Sequence, residues 1–462
     1  MTASALPDDA LLEIFKFYVD QIPHDDAWHT LVHVCRKWRY VVFSSPRWLH
    51  LELRCTNKSP AKTMLDVWPA LPIVIDAYIT SSRRSGVRNL IAALKRHDLV
   101  CRINIWGVPN SLLRSAAMKK RFPELTDLTI RSNEDNAPVI PDSFLDGSAP
   151  RLQSLEFRGI PFLFPALGKL LLSATNLVTL RLLDIPHSGY ISPDLIVTSL
   201  SALTRLQELF IDFRSPRSRA DRERRHPSLL KRVVLPSLTE FYFKGDSEYL
   251  EDVVGRIDAP SLARFTITFF NQLVFATPRL RDFFSRTELF QEPHRAEVFV
   301  ATSCMNFTLF QRKGMADRPT LEVAIPCAVF EWQLSTLAQF CSSSLPPLPT
   351  LERLNIRGYI YDPKNNVWID DEESSQWLEL LHPFVAVRDL VLPLQLPVAS
   401  RVATALRELT GSTVTEVLPA LRRIFVDPFN VEPIQEALAP FITARQLSGQ
   451  PVSLHHVEPG TS

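Results

Sequence analysis

A six-residue phrase with apolar residues at its first, fourth and sixth places recurs along the chain, and it restricts the fold more than any other feature. One clear copy is Leu125-Thr126-Asp127-Leu128-Thr129-Ile130. The spacing returns at Leu152/Leu155/Phe157, Leu177/Leu180/Leu182, Leu206/Leu209/Ile211, Leu238/Phe241/Phe243 and Leu262/Phe265/Ile267, and later at Leu351/Leu354/Ile356, Val387/Leu390/Leu392 and Leu421/Ile424/Val426. The first six copies begin 27, 25, 29, 32 and 24 residues apart, which suits a strand followed by a helical or irregular return rather than a hairpin. A short strand with one apolar face cannot bury it alone, so neighbouring copies must stack. The expected fold class is therefore α/β, with a curved solenoid of strand-and-helix units occupying most of the chain.

A chain of 462 residues with 46% apolar composition can fill such a core. Its formal charge of +1 creates no global field for nucleic acid or an acidic partner, and nucleic acid is not an expected partner. The six cysteines form no CxxC pair, which argues against a zinc knuckle or a disulfide scaffold. The start, Met1-Thr2-Ala3-Ser4, has no basic and apolar leader pattern, and the apolar stretch from Phe162 to Leu172 is interrupted by Pro165 and Lys169. These features predict an intracellular protein, cytoplasmic or nuclear, with reduced thiols and no membrane association. There is no Gly-rich phosphate loop, no His-Glu-x-x-His and no Gly-x-Ser-x-Gly. The adjacent His455 and His456 lack nearby thiols, and Cys35 falls in an apolar helical stripe that predicts a buried structural thiol. No catalytic residue, cofactor or metal site is expected.

The first fifty residues depart from the repeat. Pro7-Asp8-Asp9 precedes Leu11, Leu12, Ile14, Phe15 and Val19, whose spacing makes one apolar helical stripe with its aspartates at the positive end. A second helical pattern runs through Leu31, Val34, Cys35, Trp38 and Val42, and Trp48 to Leu53 alternates like a strand. Few short helices of this kind are stable alone, so they should lean on a partner or on the first repeat. Leu6-Pro7, then Leu11-Leu12-Glu13-Ile14-Phe15, then Val34-Cys35-Arg36-Lys37-Trp38-Arg39 and a late Trp48 resemble, in that order, the F-box. The insertion from Asp20 to Trp28 resembles loops of fungal F-box proteins. The resemblance implies an adaptor-binding module over 1–50, a Skp-family adaptor as partner, and through it a cullin-based ubiquitin ligase. It implies Leu6, Pro7, Leu11, Ile14 and Phe15 as one half of the adaptor surface. Val34, Cys35, Trp38 and Trp48 would form or support the other half. The alternative for these helices is a plain cap on the repeats.

The repeats are expected over 51–447, with a flexible tail over 448–462. Strands are read at Leu71–Ala77 and Cys101–Trp106, with a helix from Val87 to Leu99 between them. Leu125 through Asn133 resembles the leucine-rich repeat, although later copies lack the Asn. Helices are read over Ile160–Leu172, Ser192–Leu203, Glu248–Ile257, Trp332–Phe340, Ala399–Leu409 and Val431–Leu447. Arg214 to Arg232 reads as a solvated basic insertion, and Asp370-Asp371-Glu372-Glu373 as an acidic loop capping a helix. Between Phe269 and Pro347 the formula fades. Strands near Val298, Phe307 and Val323 are read there as divergent copies that continue the period in chain order, with a hairpin around Arg312-Lys313-Gly314.

Strand alternation turns the third and fifth places of each phrase away from the core. Stacked copies would then bring Phe210 beside Tyr242, with Glu208 and Glu240 next to them and Arg181 and Arg264 at the flanks. Aromatic residues rimmed by both charge signs make a candidate substrate-binding patch. The expected function is a non-catalytic substrate-recognition subunit of a Skp-cullin-F-box ubiquitin ligase, acting on an unidentified protein. A repeat scaffold and a non-degradative adaptor complex are the alternatives.

Overall fold

The computed structural model describes residues 6–21, 27–46, 48–58, 61–68, 70–79, 86–132, 138–162, 164–216, 232–270, 275, 277–301, 303–313, 316–326, 330–359, 373–392, 396–427 and 431–456. Asn133, most of the basic insertion, the acidic Asp370-Asp371-Glu372, Gly314 and the centre of the N-terminal insertion lie outside the described residues. The protein is a mixed α/β chain divided into two compact units, Met1–Ile191 and Ser192–Ser462.

The first unit opens with helices α1 (Asp8–Gln21), α2 (Ala27–Val32) and α3 (Arg36–Ser44). Six strands follow: β1 (Leu53–Cys55), β2 (Ile73–Tyr78), β3 (Val100–Trp106), β4 (Asp127–Arg131), β5 (Ser154–Arg158) and β6 (Thr179–Ile185). They are parallel and adjacent in chain order. Parallel neighbours need a long return, and helices α4 (Ala61–Val67), α5 (Gly86–Leu94), α6 (Asn110–Leu113) and α7 (Phe164–Ser173) supply four of them. The register aligns Ile75, Ile103, Leu128, Leu155 and Leu180 in one column, all buried. Gly107 turns the chain out of β3 with φ +70, and a Cβ there would lie 2.1 Å from the carbonyl oxygen of Ile79.

Two N-terminal expectations are corrected. The helix predicted through Leu31 and Val42 is broken, because Cys35 is extended and caps α3, its Sγ accepting the Trp38 N–H at 3.5 Å. Of the periodic residues, Val34 and Cys35 are exposed, while Leu31 and Val42 are buried together with Val32 and Val41. The strand expected from Trp48 is a turn in which His50 takes φ 50, so pairing begins only at Leu53. The three helices stay with the first unit through an aromatic cluster. Trp28 and His29 of α2 and Phe43 of α3 lie 5.3, 5.2 and 6.0 Å from the Trp68 ring at the end of α4.

The second unit contains strands β7 (Glu208–Phe213), β8 (Val233–Val234), β9 (Glu240–Gly245), β10 (Ile257–Asp258), β11 (Arg264–Phe269), β12 (Arg295–Ala301), β13 (Cys304–Lys313), β14 (Ala316–Pro326), β15 (Arg353–Tyr359), β16 (Asp389–Val391), β17 (Arg423–Val426) and β18 (Ser453–His456). Its helices are α8 (Pro193–Leu200), α9 (Ser247–Val254), α10 (Pro278–Arg286), α11 (Phe330–Ser344), α12 (Glu373–Leu381), α13 (Leu396–Arg407) and α14 (Val431–Leu447). The main sheet runs β7-β9-β11-β14-β13-β12-β15-β16-β17-β18, while β8 and β10 form a small parallel pair. Its core is aromatic around β9 and β11: Phe241 and Phe265 stack at 4.8 Å, and Phe283 and Phe284 of α10 meet Phe265 edge-on.

The expected chain-order succession of strands fails between β11 and β15. The links from β12 to β13 and from β13 to β14 are too short for a crossover, so β13 runs antiparallel to both. The three strands therefore enter in reverse, with Ile267 paired to Val323 and Val298 to Ile356. The tail expected to be loose after Gly449 adds β18, which pairs in parallel with β17 and occupies its edge.

Short polar side chains join successive copies of the phrase. At four copies the residue just before the first apolar place donates to a carbonyl just ahead of the neighbouring strand: Asn176 to Pro150 at 3.0 Å, Ser237 to Thr204 at 3.0 Å, Ser261 to Pro236 at 2.7 Å and Thr350 to Pro293 at 2.8 Å. Arginine does the same on the helical side. Arg286, ending α10, donates to the carbonyls of Val254 and Ile257 at 2.6 and 2.9 Å and to the Asp258 carboxylate at 2.7 Å.

A carboxylate links α9 to α10. Glu251 is buried and accepts the N–H groups of Arg279 and Leu280 at 3.0 and 2.6 Å, capping the first turn of α10. Burial raises its pKa above the ordinary 4.5, against the opposing effect of those two N–H groups. The folded chain thus holds this proton more tightly than the unfolded chain, so this group's stabilising contribution is present at low pH. It is lost as pH rises from 4.5 through the raised folded value. Glu251→Gln should flatten that part of the pH–stability curve, measured by urea midpoints; an unchanged slope would remove Glu251 as its source.

Candidate functional site

The N-terminal helices have a core and several exposed apolar side chains. On α1, Leu11 and Phe15 are buried, and Phe15 packs on Trp38 of α3 with ring centroids 4.7 Å apart. Lys37 ties α3 to the start of α1, donating to the Leu6 carbonyl at 2.7 Å and lying 3.5 Å from Asp8. Arg39 donates to the Val32 carbonyl at 3.0 Å and closes the end of α2.

These contacts sort the residues singled out from the sequence. Leu11 and Phe15 are core in the free chain, and Leu6 and Trp38 are half-buried. Pro7, Ile14, Val34, Cys35 and Trp48 are exposed, so Cys35 is a surface cap rather than the expected buried thiol. Lys16 lies over the Trp48 ring at 4.4 Å. Two exposed residues were not singled out, Phe17 at 68% and Tyr40 at 69%. Phe17 falls three residues after Ile14 and shares its side of α1, so the i, i+3 relation was available in the sequence. Large apolar side chains this exposed on a small helical group mark an interaction surface.

The second candidate is the outward side of the sheet in the second unit. Register places Glu208 opposite Glu240 and Glu240 opposite Arg264, and Phe210 opposite Tyr242. The two rings stack at 5.6 Å with a 23° interplanar angle. Lys244 and Asp212 pair beside them at 3.0 Å. Arg264 reaches Glu322 on β14 at 2.7 Å, an ion pair that the displaced strand order creates and chain-order reasoning could not anticipate. Arg181 belongs to the first unit, where its backbone is opposite Glu156 on β5.

The later copies carry a further group at their third and fifth places. Those places hold Arg353, Asp389 and Arg423, then Asn355, Val391 and Phe425. Arg423 grips Asp389 with two hydrogen bonds of 2.7 Å, and the guanidinium groups of Arg353 and Arg423 lie 5.6 and 5.5 Å from the centre of the Phe425 ring.

Burial pushes the thiols of Cys55 and Cys101 up to about 11 and that of Cys341 higher still, which disfavours the nucleophilic thiolate. Among the described residues no three metal-ligating side chains converge, and no helix is long and apolar enough to cross a membrane. No protein-family model matches the chain, and the search of curated proteins finds no significant match.

Proposed function

We propose that this chain is a non-catalytic receptor subunit of a Skp-cullin-F-box ubiquitin ligase inside the cell. Its N-terminal helices bind the Skp-family adaptor, and its parallel strands, read as a leucine-rich-repeat-like solenoid, receive a protein substrate. The observation that carries this reading is the set of exposed apolar and aromatic side chains on α1 to α3 and the following turn: Ile14, Phe17, Val34, Tyr40 and Trp48 are each about half exposed or more, in a segment whose sequence resembles the F-box. A three-helix group with a filled core has no internal use for such side chains, whereas a helical adaptor would cover them. The stacked Phe210 and Tyr242, with Glu208, Glu240 and Arg264 beside them, support a protein rather than a small molecule as substrate, because rings amid mixed charges suit a broad polypeptide contact.

The test is titration of the purified chain with a purified Skp adaptor. Saturable one-to-one binding is expected, with at least a hundredfold loss in the double variant Ile14→Asp and Phe17→Asp, since burying two carboxylates in an apolar interface costs several kcal/mol, roughly 3 or more. Both positions are exposed, so circular dichroism should be unchanged. No binding by the well-folded parent chain would leave the N-terminal helices as a cap on the repeats.

A further inference from the structure

We propose that the Arg353–Phe425 face of the second unit binds a carboxylate of a partner polypeptide, with an apolar side chain of that partner covering the Phe425 ring. The proposal deepens the reading of this sheet as a protein-receiving surface but does not depend on what the N-terminal helices bind.

Three guanidinium groups, those of Arg295, Arg353 and Arg423, surround this face, and two of them are already matched. Arg423 holds Asp389 through two hydrogen bonds of 2.7 Å. Arg295 lies 3.3 Å from Asp317, which His294 also approaches at 3.1 Å. The nearby Glu352 is engaged by Arg388 at 3.1 Å. Arg353 makes no ion pair among the described residues. Its Nε donates to Asn355 Oδ1 at 3.2 Å, which fixes the plane of the guanidinium and leaves both terminal nitrogens available.

A half-buried charge in this position is not at ease. Partial desolvation, the largest influence, and the like charges of Arg295 and Arg423 hold its pKa below the ordinary arginine value, against Asp389, its cross-strand neighbour on β16, and Asp317. An incoming carboxylate would take two parallel hydrogen bonds from the terminal nitrogens, the fork geometry for which arginine is suited. Because the donor is already held by Asn355, little of its freedom remains to be lost on binding. Phe425 lies under the same group, with the exposed His455 ring 5.5 Å away on β18, so an apolar side chain next to the carboxylate would have a ring to cover.

A single unmatched charge also argues against nucleic acid. A phosphate backbone would carry repeated negative charge past Asp317, Asp389 and Glu352, and the chain as a whole has a formal charge of only +1.

The test uses an array of twelve-residue peptides that varies acidic and aromatic content, probed with the full chain at low and at physiological salt. Retained peptides should carry Asp, Glu or a free terminal carboxylate beside an apolar residue; amidated and free-ended pairs tell the side-chain source from the terminal one. Arg353→Gln should lower the retained signal about tenfold, the scale of one charge-assisted pair, while Arg357→Gln, paired elsewhere with Glu297, should leave it unchanged. Adaptor titration of the same preparations reports separately on the N-terminal helices. Retention that ignores acidic content, or an Arg353→Gln signal equal to the parent's, would overturn the proposal. So would peptide binding that appears only after Asp370→Asn, Asp371→Asn and Glu372→Gln, which would assign the face to the chain's own acidic stretch.

Discussion

Arg445→Met is expected to destabilise the end of the second unit by roughly 3–5 kcal/mol, one of the largest effects available from a single side chain. Arg445 lies in the last turn of α14 and is wholly buried. Its Nη1 donates to the Val414 carbonyl at 3.2 Å and to Gln450 Oε1 at 3.0 Å, and its Nη2 to the carbonyls of Leu418 and Leu421 at 2.9 and 3.2 Å. These carbonyls belong to the irregular segment before β17, where Leu418 adopts φ 50 and no neighbouring strand can supply donors. Burial lowers the arginine's pKa, yet guanidinium remains charged and so keeps its full set of donors. Methionine fills similar space and leaves the Val414 and Leu421 carbonyls without this donor, while Leu418 keeps the Leu421 N–H at 3.0 Å; Arg445→Lys restores only the bonds one ammonium can reach. The order of stability should therefore be Arg, then Lys, then Met. Urea unfolding gives the loss, and hydrogen exchange at the Ser453 amide, bonded to the Arg422 carbonyl at 2.9 Å, shows whether β18 is released with it. Equal midpoints for the parent and Arg445→Met would mean that water serves those carbonyls.

Arg445 also shows what periodicity leaves out. The apolar phrase located half of the strands in each unit because each of these strands must place two or three side chains in its unit's core, a demand written directly as spacing. The polar groups that hold successive copies together obey no apolar spacing. Asn176, Ser237, Ser261 and Thr350 all stand one place before the first apolar residue, often after a proline, and their role became visible only with the carbonyls they meet. The reversed entry of β12 to β14 was hidden for a different reason. Apolar alternation states that a segment is a strand, but it is silent on which strand lies next to it, and short links rather than the period set that order. The end of the chain went unread because Ser453 to His456 offers little apolar face; pairing with the edge of β17 orders it.

The candidate surfaces were legible to the extent that strand alternation applies. It located the outward residues Phe210 and Tyr242 before the register brought their rings together at 5.6 Å. The same rule extends to Arg353 and Phe425. On the helices, a resemblance identified which residues matter but not which way each one faces. Leu11 and Ile14 belong to one apolar stripe in the sequence, and only packing against α2 and α3 decides that Leu11 is enclosed and Ile14 is not.

That division makes a second large effect predictable from two adjacent residues. Phe15→Asp should unfold the N-terminal helices, whereas Ile14→Asp should leave their stability within about 0.5 kcal/mol of the parent. Phe15 has no exposed surface and meets Trp38 at 4.7 Å; removing the ring alone costs about 3–5 kcal/mol, and a buried carboxylate without a donor adds to it. Ile14 is 49% exposed, so a charge there is solvated in the free chain and becomes costly only when a partner covers it. Limited proteolysis of residues 8–44, followed with thermal melts, separates the two cases: rapid cleavage for Phe15→Asp and parent-like resistance for Ile14→Asp. Adaptor binding then acquires a clear interpretation. Loss in Phe15→Asp reports a collapsed module, while loss in folded Ile14→Asp reports a contact. A stable, protease-resistant Phe15→Asp chain would mean that the ring faces a surface able to open, and α1 would then present its other side to the adaptor.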